Sequence, residues 1–359
     1  MKVLILAKDA HIGGLVTSTA SLARGLKQFK DVDSIIGMPI GSGVGFRMDG
    51  LRVEEINFDS KSPLAMIANF RKLCRIVKEN GIQIIHCQNR IPALYASLYC
   101  FFHRKVKYIW VNHQVPIPCG LLHRLTTKYG YCAVTDCIAG ESLLVDGLKI
   151  PKEKAKVINL GLDLTIYKKT SKEEQDALKE KYKINDDEKV IFLYARLDET
   201  KGHKFLLEAL NKVSERNFRL VFPGESNDYK EEVIKLARQY GFEEKIIFPG
   251  FVKGNSFLSI SDLMVLPSRR ESFSYACVES FCVGVPVIRT TTGGYEDMKD
   301  LCWGVNYGDT DKLASLIESF FVDSKKYEEK AKYAQEHVSR FNISNMIDAY
   351  YQLYTEALK

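Results

Sequence analysis

No apolar run in the 359 residues approaches the roughly 18 to 20 that span a bilayer, so no segment reads as a transmembrane helix. The N-terminal MKVLILAKDAHIGG has too short an apolar stretch for a secretory signal and reads instead as the first β-strand of a cytoplasmic protein. None of the nine cysteines stands in a CxxC pair. Cys132 with Cys137 and Cys277 with Cys282 have the wrong spacing for a zinc knuckle, and most of the nine sit in apolar runs, so they read as buried reduced thiols. Signatures of a helix-turn-helix, an RNA-binding module or a zinc finger are also missing, which ranks nucleic acid last among partners.

At 46% hydrophobic and 27% charged residues the composition is that of a soluble globular protein, and the length calls for two domains. The formal net charge of +6 is unevenly shared. Residues 1–165 hold 22 Lys plus Arg against 13 Asp plus Glu, a net +9; the remainder holds 29 against 32, a net −3. A basic half suits an anionic ligand or an anionic membrane surface, and a solvated basic face reads equally well.

Short β-branched runs KVLILA (2–7), DSIIGM (33–38), IQIIHC (82–87), KYIWVN (107–112), CAVTDCIAG (132–140) and KVINLG (156–161) alternate with helical patterns. Such alternation argues for a parallel sheet with helices on both faces. RIPALYASLYCFFHR (90–104) is apolar enough for a membrane patch, although a buried crossover helix is the expectation. Residues 166–189 are polar and charged and are expected to link an N-terminal domain (1–165) to a second α/β domain (190–340). There VIFLYARL, RLVFPG, KIIFPGF, LMVLPS and VPVIRT supply strands. The terminal stretch 341–359 is expected to form a helix that packs back on the N-terminal domain. Two doubly wound halves create a cleft, and chemistry belongs in the loops after the strands.

In AKDAHIGGLVTS, Gly13 and Gly14 precede a helix whose N-terminus could receive an anion, though a paired glycine is more often only a strand-to-helix connection. It lacks the GxGxxG spacing of a dinucleotide fingerprint. YARLDETKGHKF places Arg196 at a strand end and Lys201 on the next loop, a pair suited to a diphosphate or simply a solvated basic loop. In ESFSYACVE, Glu271 falls on a loop and Glu279 inside a helix. Carboxylates can each accept two hydroxyl bonds from a vicinal diol; the other reading is an acid and base for hydrolysis. VPVIRTTTGGYEDM adds a second paired glycine followed by Glu296. The acid pairs in DVD (31–33) and DTD (309–311) stand before a strand and in a loop, away from these positions, and no metal is expected.

Taken in order, these segments resemble the retaining glycosyltransferases of family 4, which have the two-Rossmann GT-B architecture. The resemblance runs from the N-terminal GG through VINLGLDLTIYKK, ARLDETKG, LVFPGES, IIFPGFV and SRRESFSYACVE to GVPVIRTTTGGYE. It implies that Arg196 and Lys201 hold the diphosphate of a nucleotide sugar and that Glu279 holds the ribose. Glu271, with the amides near Phe273 and Ser274, would grip the donor sugar, and Gly14 would border the phosphates or acceptor. His113, in WVNHQVP, matches a family histidine near the reacting sugar; alone, a His at a strand end reads as structural. Two usual glycines are here Ser272 and Ser274, so the sugar cannot be carried over.

The implied activity is metal-independent, retaining hexosyl transfer without a cofactor. The donor would be a nucleotide diphosphate sugar, a UDP-sugar ahead of GDP-mannose. The acceptor would be a glycan or lipid-linked molecule of surface polysaccharide or lipopolysaccharide assembly, with the enzyme in the cytoplasm or peripheral on the inner membrane face. The rivals are a GT-B-like epimerase or phosphorylase and a non-catalytic sugar-binding protein; Arg196 and Lys201 speak against the last.

Overall fold

A computed structural model of the chain describes residues 1–8, 14–40, 48–58, 62–215, 217–224, 228–252 and 254–359. The chain divides into two compact units, Met1–Gly161 with Phe341–Lys359, and Leu162–Arg340.

The first unit holds a parallel sheet of β1 (Lys2–Leu6), β2 (Asp33–Met38), β3 (Val53–Glu55), β4 (Ile84–Cys87), β5 (Lys107–Asn112), β6 (Ala133–Thr135) and β7 (Ala155–Val157), in the order β3-β2-β1-β4-β5-β6-β7. Strands buried on both faces read as unbroken apolar runs, and β1 shows why. Val3 and Ile5 point into a core shared with the helices Gly14–Leu26 and Ile343–Leu358. Leu4 and Leu6 point the other way, into a core shared with the helices Pro63–Asn80 and Arg90–Phe102. Helix Ile343–Leu358 buries Met346, Ile347, Tyr350, Leu353, Tyr354 and Ala357, a stripe at helical spacing. Its Asn342 cap accepts from the Ser344 amide at 3.0 Å.

The second unit holds β8 (Lys189–Phe192), β9 (Phe218–Val221), β10 (Ile246–Ile247), β11 (Leu263–Leu266), β12 (Val287–Thr290) and β13 (Trp303–Val305), all parallel, in the order β10-β9-β8-β11-β12-β13. Residues 166–189, expected as a linker, fold into this unit. Helix Lys172–Lys181 starts from a Ser171–Glu174 capping box and packs against helix Gly254–Ile260.

Two expectations change. CAVTDCIAG is a strand only over Ala133–Thr135, because Cys137 caps a short helix, Ile138–Ser142. Helix Arg90–Phe102 does connect β4 to β5, but only one side is buried: Pro92, Ala93, Ala96 and Tyr99 face the core, whereas Leu94, Leu98, Phe101 and Phe102 face out. The edge strand β3 was not anticipated, since RVEEI carries charge where an apolar run was sought.

Candidate active site

In each sheet the strand order reverses direction beside the first strand, between β1 and β4 and between β8 and β11. Such switch points leave a crevice at the carboxyl ends of the strands, where α/β sheets bind ligands.

In the second unit, the loops leaving β8 and β11 are tied together there. Asp198 accepts from the Thr200 amide at 2.9 Å and from its hydroxyl, which turns the chain so that Lys201 ends a 3₁₀ turn. The Thr200 hydroxyl bond also holds the Asp198 carboxyl below its ordinary pKa. Gly202 follows with φ +79°, and a Cβ there would stand 2.0 Å from the Pro267 carbonyl oxygen, so only glycine allows the two loops to touch. The Arg269 amide then donates to the Thr200 carbonyl at 2.7 Å. On this frame Lys201 Nζ meets Glu271 Oε2 at 3.0 Å, with the side chains only 18% and 14% exposed. Arg196 stands exposed on the same β8 loop.

The loop leaving β12 braces residues 268–274 from the other side. The Thr290 hydroxyl donates to the Ser268 carbonyl at 2.7 Å, and the Gly294 amide to the Ser272 carbonyl at 2.6 Å. Gly293, at φ +52°, leaves room for the Glu271 carbonyl, which a Cβ would approach to 2.0 Å. Arg289, 0% exposed, donates through Nη1 to the Phe273 carbonyl at 3.2 Å and through Nη2 to the Thr292 carbonyl at 2.9 Å. A buried guanidinium thus holds both ends of the brace.

Helix Tyr275–Val283 starts after Ser274, so Glu271 lies off it and Glu279 on its second turn. Glu279 is buried; a Cβ built at Gly254 would stand 2.7 Å from its Oε2 and 2.4 Å from the Tyr194 hydroxyl. The two glutamates therefore serve different places: Glu271 faces Lys201, and Glu279, like Tyr194, lies beside Gly254 at the start of helix Gly254–Ile260. Glu296 is half exposed and pairs with Lys299 at 2.9 Å.

In the first unit three residues form a row because each stands one position beyond the end of an adjacent strand: Gln88 after β4, His113 after β5 and Asp136 after β6. His113 Nε2 meets Gln88 Oε1 at 2.5 Å and Nδ1 meets Asp136 Oδ2 at 3.4 Å, which fixes the ring. Burial, aided by His113, pushes His86 down to about 3; its Nδ1 contacts the Tyr354 hydroxyl at 2.6 Å. Gly14 opens helix Gly14–Leu26, and Gly13 lies outside the described residues.

The acid pairs have other partners. Asp309 caps helix Thr310–Val322, Asp311 pairs with Lys212 at 2.7 Å, and Asp31 meets the Tyr351 hydroxyl at 3.4 Å. Among the described residues no group of three His, Cys, Asp or Glu is placed to hold a metal. All nine cysteines are free and at least partly buried; burial pushes Cys100, Cys132, Cys282 and Cys302 up to about 12.

Known proteins carry the same plan. The family model described as Glycosyltransferase Family 4 matches residues 12–166, and that for Glycosyl transferases group 1 matches residues 174–337, one for each unit. The chain is a family 4 glycosyltransferase with the GT-B fold. The glycosyltransferase is 27% identical over 216 residues to the uncharacterized glycosyltransferase MJ1607 of Methanocaldococcus jannaschii, covering 54% of each chain. It is 29% identical over 327 residues to an uncharacterized 41.2 kDa protein in the cps region of Klebsiella pneumoniae, covering 83% of this chain and 84% of that one. A lipopolysaccharide core biosynthesis glycosyltransferase of Rhizobium meliloti, LpsE, is 30% identical over 172 residues, 46% of this chain and 50% of LpsE. Anabaena HepE, solved with UDP, superposes with a TM-score of 0.88 at 19% identity over 99% of this chain and 100% of HepE.

Against its family the glycosyltransferase keeps a glycine-like backbone where the glycine is gone: Ser274 has φ +80° and ψ 97°. Sequence reasoning missed Tyr194, Gln88, Asp136 and Arg289. The first three follow strand ends, but it is the lateral order of the strands that brings Gln88 and Asp136 beside His113; Arg289 lies within a strand and carries no such mark.

Proposed function

We propose that the enzyme transfers a hexosyl group, with retention, from a nucleotide diphosphate sugar to a glycan or lipid-linked acceptor in the assembly of surface polysaccharide or lipopolysaccharide. The observation that carries this reading is the braced loop 268–274, which sets Glu271 against Lys201 at the β8/β11 switch point. Lys201 and Arg196 would receive the diphosphate, Glu279 the ribose hydroxyls, and Glu271 with the amides of Phe273 and Ser274 the sugar. The Lys201 ammonium has three donors; Glu271 uses one and aims the others.

As charge grows on the leaving diphosphate, fixed cations stabilise it without reorganisation. That diphosphate takes the acceptor proton while attack comes from the same face, so no protein nucleophile is needed. His113, held by Gln88 and Asp136, would orient the reacting sugar through its ring. Independence of metal is what the family resemblance implies. UDP-sugars stand ahead of GDP-mannose, supported by the HepE complexes with UDP and with UDP-glucose. LpsE and the cps-region relative support the polysaccharide setting.

Thermal shift against a panel of nucleotide sugars tests the donor, since a ligand at ~100 times its dissociation constant stabilises by about 2.7 kcal/mol. Incubation of the selected donor with candidate acceptors, followed by NMR of the anomeric proton, tests retention. Epimer or sugar phosphate in place of a glycoside overturns the transfer reading, and activity lost to chelator but restored by Mn²⁺ overturns metal independence.

A further inference from the structure

We propose that Arg289, buried out of reach of any substrate, strengthens donor binding by polarising two backbone amides of the site, which thereby selects a diphosphate over an uncharged ligand. The inference rests on the placing of a nucleotide sugar at loop 268–274. Arg289 is 0% exposed within β12, and among the described residues no carboxylate pairs with its guanidinium. Its partners are neutral: the carbonyls of Thr290 at 3.3 Å, Phe273 at 3.2 Å and Thr292 at 2.9 Å, and Met298 Sδ at 3.0 Å. A buried cation without a counter-charge is costly, and an apolar side chain of similar length would fill the same space without that cost. The charge therefore calls for a use that packing does not supply.

Each of the three carbonyls belongs to a peptide group whose other end is the amide of the next residue. The Thr291 amide is spent in the sheet, donating to the Val305 carbonyl at 2.9 Å. The Ser274 and Gly293 amides, opposite the Phe273 and Thr292 carbonyls, meet no acceptor among the described residues. A cation bonded to a carbonyl draws electron density along the peptide and leaves its N–H a stronger donor. Both polarised amides border the acid-bearing loop. Ser274 ends that loop, directly before helix Tyr275–Val283, whose first turn adds the positive end of a dipole. Gly293 is set beside the loop by the bond from the Gly294 amide to the Ser272 carbonyl and by its close approach to the Glu271 carbonyl. Burial pushes the Cys277 thiol up, and Arg289 and Glu271 act on it with opposite sign, so the guanidinium and the acid of the site lie within electrostatic reach of one sulfur. Free amides backed by a buried positive charge form a seat for anionic oxygens. In this site those oxygens belong to the diphosphate that Lys201 and Arg196 would receive.

Two variants separate charge from bracing. Arg289→Gln keeps a donor for the carbonyls and removes the charge, whereas Arg289→Lys keeps the charge on a compact head that cannot span them. In NMR titrations of the full chain, Arg289→Gln is expected to weaken UDP binding about tenfold, the step from a charged to a neutral donor, and to leave uridine binding within about twofold of the parent. Arg289→Lys should hold UDP within about threefold. Equal weakening of UDP and uridine, or a greater loss of UDP in the lysine variant than in the glutamine variant, assigns Arg289 to bracing alone and overturns the proposal. Should the glutamine variant fail to fold, a loss of about tenfold or more in the lysine variant overturns it as well. Without ligand, the amide proton resonances of Ser274 and Gly293 should move upfield in Arg289→Gln; resonances that stay in place overturn the polarisation whatever nucleotide binds. Resonances that move in a protein that binds neither UDP nor GDP would keep the polarised amides and remove the placing of the donor.

Discussion

The two units share a winding and differ in how they hold their functional loops. In the second unit, residues 268–274 are fixed by backbone ties to the loops after β8 and β12 and by one buried guanidinium. In the first, His113 is fixed by two side chains that neighbouring strands bring into line. A backbone-tied loop presents amides and a cation in set positions, which suits a donor with a constant diphosphate. A side-chain row can be changed residue by residue while the sheet stays intact, which suits a variable acceptor.

Substitutions sharpen this contrast. Lys201→Ala should lower kcat by about 10²- to 10³-fold, the usual effect of losing one fixed donor to developing charge, with the melting temperature kept; near-parental turnover would remove Lys201 from the mechanism. Arg289→Met removes the donor to three backbone carbonyls, those of Phe273, Thr290 and Thr292, and should weaken UDP binding by about 1–3 kcal/mol. Calorimetry checks this, and an unchanged affinity would mean that the glycine contacts hold the loop unaided.

Acid should treat the units alike. Burial lowers His86 to about 3 and His203 to about 4, one in each unit. Below the unfolded value near 6.5 the unfolded chain binds a proton that the folded one excludes. Stability therefore falls with pH, by about 1.4 kcal/mol per pH unit for each histidine, until the folded values are reached. Denaturant melts between neutral pH and pH 4.5 measure this; a flat profile would show that both rings find charge-stabilising surroundings. Ser274→Gly should raise stability by less than about 1 kcal/mol, because relief of the left-handed backbone is partly offset by glycine's greater freedom when unfolded. A fall in melting temperature would show that the serine side chain outweighs its backbone strain.

Much of the fold was legible because parallel strands covered on both faces leave long apolar runs such as KVLIL and LMVL. β3 was not, since an edge strand can carry Glu54 and Glu55. Within the site, Lys201, Glu271 and Glu279 were legible from their places after or near strands. Gln88 and Asp136 were not, because what unites them with His113 is lateral adjacency of β4, β5 and β6, which no linear spacing records. RIPALYASLYCFFHR misled for a related reason: apolar content measures what could be buried, and only packing decides which side is.

The helix Ile343–Leu358 completes a core begun by β1, although the whole second unit is encoded between them. On a ribosome, the first-made strands must therefore wait, with one sheet face covered only in part, by helix Gly14–Leu26, until Tyr350 and Tyr354 emerge, whereas the later-made unit already has all its parts. The order of synthesis and the order of completion are reversed, so during translation a chaperone's natural client is the N-terminal half.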